Sequence, residues 1–312
     1  MIKKIAVIGT GVIGTGWIAR CLAHNKKVIA YDKDLKLEKK LILEIKRSWP
    51  FIKKLFNKKK PNLKNFKYVT SIEEAVKDAD FIQECATENY AIKIKLMNII
   101  GKYAKLNTII ASSSSGLLPT RIYSKCKNPA RTMIGHPFNP VYLCPGVEIV
   151  AGKKSKKKFL NKANKFYKSI SMNPIMVKKE LPGYLADRLQ EALWREALHI
   201  INEGYADTKD LDRVIEDGPG LRWSLMGTFL TFHLAGGKTG MKHMLKQFGP
   251  ALKLPWTKLK APKLSRKLSS RLIAGTRKQA RGKSVAAISN IRDEYLVNLQ
   301  KLRKKYEDKI RK

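Results

Sequence analysis

Through the first 180 residues, short runs of β-branched and aliphatic residues alternate with stretches in which apolar positions recur at helical spacing. The runs predict strands at Lys3–Ile8, Lys27–Tyr31, Phe66–Thr70, Asp80–Cys85, Thr108–Ser112, Arg131–His136, Val147–Ala151 and Pro174–Val177. Between the first two, Val12–His24 puts Ile13, Trp17, Cys21 and His24 on one stripe, and Ser71-Ile-Glu-Glu74 has the form of a capping box opening another helix. This alternation predicts an α/β fold with a mainly parallel, doubly wound sheet covered on both faces. After Gly183 the strand signal fades. Leu185, Leu189, Ala192, Leu193, Ala197 and Ile200 follow helical spacing, three prolines interrupt Pro250–Pro262, and Ile288–Lys312 reads as a charged amphipathic helix. The pattern predicts an α/β domain over residues 1–181 and an all-helical C-terminal domain over 182–312.

A chain of 312 residues with 44% hydrophobic content can bury a core in each of two such domains. No uncharged apolar run reaches the roughly 18–20 residues a membrane helix needs; the longest candidate is the mixed stretch Ser224–Gly237. Met1 leads directly into Ile5-Ala-Val-Ile8 with no cleavage pattern before it, so a soluble, cytoplasmic protein without a membrane partner is expected. Cys21, Cys85, Cys126 and Cys144 are far apart and form no CxxC spacing, which predicts reduced packing residues and neither disulfides nor a metal site.

Charge opens two readings. With 64 Lys+Arg against 25 Asp+Glu the formal net charge is +39, which suits a nucleic-acid binder whose affinity comes from neutralising phosphates. It equally suits a lysine-rich solvated surface, and the second reading is favoured. The lysines occur in every segment, including Lys36, Lys39 and Lys40, the run from Lys153 to Lys158 and that from Lys301 to Lys305, and no zinc-finger or RNP-type motif accompanies them. No specific nucleic-acid partner is expected.

Gly9-Thr-Gly11-Val-Ile-Gly14 follows the first strand and opens the first helix, the context in which GxGxxG carries meaning. Gly9 permits the tight turn, Gly11 lets the backbone approach a pyrophosphate, and Gly14 allows close helix–strand packing, with the helix N-terminus facing the negative charge. The second strand ends at Asp32, 18 residues beyond Gly14, where a carboxylate accepts hydrogen bonds from ribose hydroxyls and repels a 2′-phosphate. A Rossmann-type domain that takes NAD in preference to NADP is the expectation, softened by the adjacent Lys33. Ala111-Ser-Ser-Ser-Ser115-Gly116 places hydroxyls at the carboxyl edge of the sheet, where open α/β sheets bind ligands. Next comes Gly135-His136-Pro-Phe-Asn139-Pro140, with Glu148 twelve residues beyond the histidine. A His–Glu pair suits dehydrogenase chemistry: the imidazole accepts the alcohol proton as hydride leaves, and the carboxylate orients it and stabilises its cation.

Together these residues resemble the 3-hydroxyacyl-CoA dehydrogenase superfamily over essentially the whole chain. The resemblance rests on Val7 to Gly14, on Glu84 with Glu88-Asn89 and Lys93, on the serine loop, on Gly135 to Pro140, and on Pro182-Gly183 leading into a helix. The second half is most similar to the carnitine-oxidising branch, through Ala186–Ala197, Asp217–Gly237 and Phe248–Lys258. The resemblance implies NAD-dependent oxidation of L-carnitine to 3-dehydrocarnitine by a homodimer. It implies His136 as general base, Glu148 as its partner and Ser115 as hydrogen-bond donor to the reacting oxygen. Glu88, Lys93 and Asn139 would line the nicotinamide ribose and ring, and Gly9, Gly11, Gly14 and Asp32 the diphosphate and adenosine.

One position departs from the acyl-CoA pattern: Asp187 stands where those enzymes usually place an asparagine. Carnitine carries a fixed trimethylammonium beside the carbon being oxidised, and a carboxylate at Asp187 offsets its repulsion of the imidazolium formed on His136. The alternative is a surface aspartate paired with Arg188 or Arg195. Aromatic faces also recognise quaternary ammonium groups. Among Phe138, Tyr142, Trp194, Trp223, Phe229 and Phe232, helical spacing assigns Trp194, Phe229 and Phe232 to the core and leaves Trp223 and Tyr142 as the preferred pair, with Arg222 for the substrate carboxylate. A 3-hydroxyacyl-CoA or small hydroxy-acid dehydrogenase is the nearest rival, and a non-catalytic basic protein the rival of another class.

Overall fold

All eight expected strands form, as β1 (Lys4–Ile8), β2 (Lys27–Tyr31), β3 (Phe66–Val69), β4 (Phe81–Glu84), β5 (Ile109–Ser112), β6 (Thr132–Pro137), β7 (Gly146–Ala151) and β8 (Asn173–Val177). They belong to a computed structural model that describes residues 2–57, 60–224, 227–258, 260, 263 and 265–311. The chain divides into two compact units, residues 1–188 and 189–312. In the first unit the helices are α1 (Val12–Ala23), α2 (Leu37–Phe56), α3 (Ile72–Val76), α4 (Tyr90–Tyr103), α5 (Pro119–Ile122) and α6 (Lys157–Ser169). Helix α7 (Ala186–Glu203) begins in the first unit and continues into the second.

The strands make one sheet in the order β3-β2-β1-β4-β5-β6-β7-β8. Neighbours are parallel except β6 and β7, which are antiparallel. Strand residues alternate between two cores, as the two-residue period of a strand requires. Ile5, Val7, Phe81, Ile109, Met133 and Ile149 pack with Trp17, Ile45, Phe166 and Tyr167 beneath α1, α2 and α6. Ala6, Ile8, Ile82, Ile110, Ile134 and Val150 pack with Val76, Met97, Ile100 and Ile122 beneath α3, α4 and α5. The predicted capping box is present in part, Ser71 accepting a bond from the Glu74 amide.

Arg20 on α1 is fully buried and donates to five carbonyls: Val141, Leu143 and Cys144 in the loop after β6, and Ile170 and Ser171 at the end of α6. Burial lowers its pKa to about 10. The negative end of the α6 dipole helps hold this cation without a carboxylate partner among the described residues.

The second unit is helical, with α8 (Thr208–Asp217), α9 (Pro219–Trp223), α10 (Thr228–Ala235), α11 (Met241–Phe248), α12 (Arg266–Ala280) and α13 (Val285–Arg311) following the body of α7. Its apolar positions correct one expectation. Trp194, Phe229 and Phe232, assigned to the core by spacing, are 52%, 85% and 44% exposed. On α7 the unit buries Leu198 and Ile201, while Leu185, Leu189 and Leu193 of the predicted stripe are exposed. Helical spacing identified a face, but burial of that face needs a covering surface that the spacing does not supply. Pro262, Leu225, Met226 and Lys312, which fall in stretches singled out by sequence, lie outside the described residues. Among the described residues no helix is long and apolar enough to cross a membrane, and all four cysteines are free thiols.

Candidate active site

Strand order reverses between β1 and β4, so their following loops part to leave a crevice at the carboxyl edge of the sheet. Gly9 sits there at φ +99°, and a Cβ on it would lie 2.9 Å from the Cys85 carbonyl oxygen; one on Gly14 would lie 1.9 Å from the Gly9 carbonyl oxygen. Both positions require glycine. Gly11 is the N-cap of α1, a Cβ there would meet nothing within 4 Å, and the first turn carries no acidic side chain. Open backbone at the positive end of a helix fits a diphosphate. Asp32 ends β2 half-buried, its Oδ2 accepting from the Thr10 amide at 2.9 Å and hydroxyl at 2.8 Å and its Oδ1 from the Lys33 amide at 2.8 Å. Thr10 therefore fixes the Asp32 carboxylate just beyond β2, a contact that the glycine fingerprint does not reveal. The residues present fit a dinucleotide.

The next loop is built on an ion triad. Lys93, buried in the first turns of α4, lies 2.8 Å from Glu84 Oε1 and 3.5 Å from Glu88 Oε2, and donates to the Ala86 carbonyl at 2.9 Å. Asn89 caps the same helix by accepting from the Ile92 amide. The two carboxylates then order the serines. Ser112 donates to Glu84 Oε2 at 2.5 Å; Ser113 accepts from Trp17 Nε1 at 3.0 Å and Gln83 Nε2 at 2.8 Å; Ser114 donates to Glu88 Oε1 at 2.5 Å. Glu88 Oε1 also accepts the amides of Ser115 at 3.0 Å and Gly116 at 3.2 Å. Burial pushes the Glu88 carboxyl up, but the Ser114 hydroxyl, the Lys93 ammonium and these amides outweigh it and hold the group below the ordinary range. The Ser115 side chain is exposed, and its hydroxyl has no protein partner among the described residues.

Antiparallel register sets His136 on β6 directly opposite Glu148 on β7. The pair meets with His136 Nδ1 2.8 Å from Glu148 Oε2, and the two residues are 5% and 1% exposed. Glu148 Oε1 accepts the amides of Leu185 at 3.0 Å and Ala186 at 3.2 Å, so one carboxylate joins the imidazole to the start of α7. The first turn of α7 returns the contact: Asp187 Oδ1 lies 3.9 Å from His136 Nε2. The imidazole thus has a carboxylate beside each nitrogen, hydrogen-bonded at Nδ1 and at ion-pair distance at Nε2. Rings of Phe138 and Tyr184 flank it at centroid distances of 5.7 and 5.6 Å. Tyr184 is buried at φ +44° and donates to the Leu117 carbonyl, and the Gly183 amide donates to the Gly116 carbonyl, tying this segment to the serine loop.

The first unit brings together His136, Glu148 and Asp187, ties the loop that carries Ser115 to the adjoining Gly183–Tyr184 segment, and pairs Glu88 with Lys93. Asn139 is exposed in the loop after β6. Tyr142 packs half-buried against the core of α1, α2 and α6. Arg222 and Trp223 are exposed on α9 of the second unit. The roles of Glu84, Ser112, Ser114 and Tyr184 are not readable from spacing. The available signal is a carboxylate ending a strand with a lysine nine residues on, in the first turns of the next helix, and it does not say that the pair is buried.

Residues 4–181 match the family described as 3-hydroxyacyl-CoA dehydrogenase, NAD binding domain, and residues 183–274 its C-terminal domain. The chain is 50% identical to an L-carnitine dehydrogenase of Oceanobacillus iheyensis, over 95% of this chain and 97% of that one. It is 48% identical to an L-carnitine dehydrogenase of Pseudomonas putida, over 95% and 92%. Among solved structures, a 5-formyl-3-hydroxy-2-methylpyridine 4-carboxylic acid 5-dehydrogenase, an NAD-dependent dismutase, superposes with a TM-score of 0.81 at 23% identity, covering 97% of this chain and 99% of that one. The (S)-3-hydroxybutyryl-CoA dehydrogenase of Ralstonia eutropha gives 0.65 at 24% identity, over 79% and 85%. These two likenesses show the fold. With the NAD-binding and C-terminal domains both matched, the chain belongs to the 3-hydroxyacyl-CoA dehydrogenase family, alongside L-carnitine dehydrogenases.

Proposed function

We propose that the protein oxidises the C3 hydroxyl of L-carnitine to give 3-dehydrocarnitine, with NAD as the hydride acceptor. The observation that carries the reading is an imidazole held between two carboxylates at the carboxyl edge of an NAD-binding sheet. His136 gives its Nδ1 proton to the bond with Glu148 and keeps the Nε2 lone pair for the alcohol proton, since 3.9 Å to Asp187 is too long for a hydrogen bond. Glu148 is fully engaged, by the imidazole on one oxygen and by two amides on the other, which suits it to orient the ring and stabilise its cation. Ser115 donates its free hydroxyl to the reacting oxygen. Bound NAD supplies the hydride acceptor, held by Gly9, Gly11, Gly14, Thr10 and Asp32, with Glu88, Lys93 and Asn139 toward the nicotinamide side.

The carboxylate of Asp187 beside His136 Nε2 supports a role in substrate selection. A cation beside the reacting carbon opposes the imidazolium formed on His136, and a second carboxylate at Nε2 offsets that opposition. For Trp223, Tyr142 and Arg222 the reading rests on aromatic recognition of trimethylammonium and cation recognition of carboxylate; Trp223→Ala should raise KM for carnitine. We place the enzyme in the cytoplasm as a homodimer. Free cysteines suit the first assignment, and the exposed apolar residues Leu189, Leu193, Trp194 and Phe229 suit the second.

NADH absorbance tests the proposal, on mixing the protein with NAD and L-carnitine beside D-carnitine, L-3-hydroxybutyryl-CoA, L-gulonate and NADP. NADH formed with L-carnitine alone is the expected result. Signal with another alcohol and none with carnitine would keep His136 and Glu148 as the reacting pair and overturn the substrate.

A further inference from the structure

We propose that Glu88 is a positioning residue for Ser115, a role distinct from lining the nicotinamide ribose. The inference rests on the reading of Ser115 as donor to the reacting oxygen. Four consecutive serines begin at the last residue of β5, and the protein uses the hydroxyls of three to fix the loop: Ser112 on Glu84, Ser113 beneath Trp17 and Gln83, Ser114 on Glu88. The fourth is left unengaged. What sets its direction is the backbone on either side, and that backbone hangs on a single atom. Glu88 Oε1 accepts the Ser115 and Gly116 amides and the Ser114 hydroxyl together, a small anion nest in which the anion is a side chain of the protein. Ser114 passes the constraint on, its Oγ accepting the Leu117 amide at 3.2 Å.

The other carboxylate oxygen is held as well, although 42% of the Glu88 side chain meets solvent. Glu88 Oε2 faces Lys93 at 3.5 Å, and Lys93 is itself fixed by Glu84 at 2.8 Å and by the Ala86 carbonyl. Glu84 holds the first serine and Glu88 the third, with one ammonium between them. The serine run is therefore held at its first and third members by a single ion triad, in which Glu84 and Lys93 are buried and Glu88 is exposed. Replacing Glu88 by glutamine removes the charge and turns one oxygen into a donor, which cannot serve three donors and Lys93 at once.

Amide hydrogen exchange of the full chain, measured on peptides spanning residues 112–118, tests the hold directly and needs no substrate. Glu88→Gln should raise exchange at Ser115 and Gly116 by roughly tenfold, with peptides of β1 and β6 unchanged. Glu88→Asp keeps the charge but is one methylene too short, and should show the same rise even if Glu88→Gln folds poorly. NADH affinity of both variants, followed by fluorescence, separates the part Glu88 plays on the nicotinamide side of the cofactor from its hold on the loop. Carnitine turnover should fall by roughly tenfold or more in Glu88→Gln, yet not fall further when Glu88→Gln is added to Ser115→Ala, because the residue acts through that serine. Unchanged exchange overturns the proposal. So does a tenfold loss of NADH affinity with turnover intact, which would make Glu88 a cofactor ligand only. Faster exchange in a protein that leaves carnitine untouched would overturn the substrate reading while keeping Glu88 as the holder of the loop.

Discussion

In the proposed reaction His136 changes charge, and its two neighbouring carboxylates meet it differently. Glu148 is hydrogen-bonded and buried, which suits it to orient the ring; Asp187, with its side chain 31% exposed, lies 3.9 Å from Nε2, beyond hydrogen-bond reach of that nitrogen, which suits it to an electrostatic role. Asp187→Asn should lower carnitine turnover by roughly tenfold or more while leaving NADH affinity unchanged; steady-state kinetics beside a fluorescence titration checks the split, and equal turnover removes the electrostatic role. Glu88 supplies a pH test. Its folded pKa is depressed, so the stability it contributes is present above the ordinary carboxyl value of 4.5 and is lost as pH falls through the lower folded value. Urea denaturation should show Glu88→Gln less stable than wild type near neutrality, with the gap closing in acid below about 4.5. The sequence suggested His136 and Glu148 as a pair on their chemistry and the family resemblance, and the antiparallel register of β6 and β7 is what sets them opposite each other. Ser115 was singled out by the family resemblance, while the serine run by itself leaves its four members equal. What singles it out in the structure is the satisfaction of the other three, and that depends on Glu84, Trp17, Gln83 and Glu88, which arrive from three other elements.

At the scale of elements, strands were legible throughout because β-branched runs bounded by polar turns leave little ambiguity. The clamp that holds the edge of the sheet was not. Arg20 looks like one more base in a basic chain, yet its five bonds to carbonyls join α1 to the loop after β6 and to the end of α6. Lysine has three donors on a flexible stem and cannot match five acceptors lying in two directions. Arg20→Lys should therefore destabilise the first unfolding transition by about 3 kcal/mol or more; a loss under about 1 kcal/mol in urea would show that the carbonyls find other donors. Helix α7 fails the sequence reading in the opposite way. The helix forms, but the residues it buries are Leu198 and Ile201 rather than the predicted stripe, whose Leu189 is 73% exposed, because what covers a helix face is a property of the neighbouring surface rather than of the helix.

For the whole molecule, the charge is less evenly mixed than the distribution of lysines suggests. From residue 89 to residue 179 the single acidic residue is Glu148, against 18 lysines and arginines. Glu148 is buried and engaged by His136, so the surface of this span carries positive charge alone. Helix α6 concentrates it: Lys157 and Lys158 occupy a first turn that holds no acidic residue, where the helix dipole disfavours cations. If the lysines are only a solvated surface, their mutual repulsion should oppose folding and should be relieved by screening, whose length falls from about 30 Å at 0.01 M salt to about 10 Å at 0.1 M. The melting temperature should then rise with sodium chloride. Lys157→Glu, which replaces a repelled charge with one the dipole favours, should stabilise the protein by about 0.3–1 kcal/mol at low salt and by less at high salt. A salt-independent melting temperature together with tight, steeply salt-dependent RNA binding would mean that the span serves a polyanion, because the repulsion would then be answered by a partner rather than by the solvent.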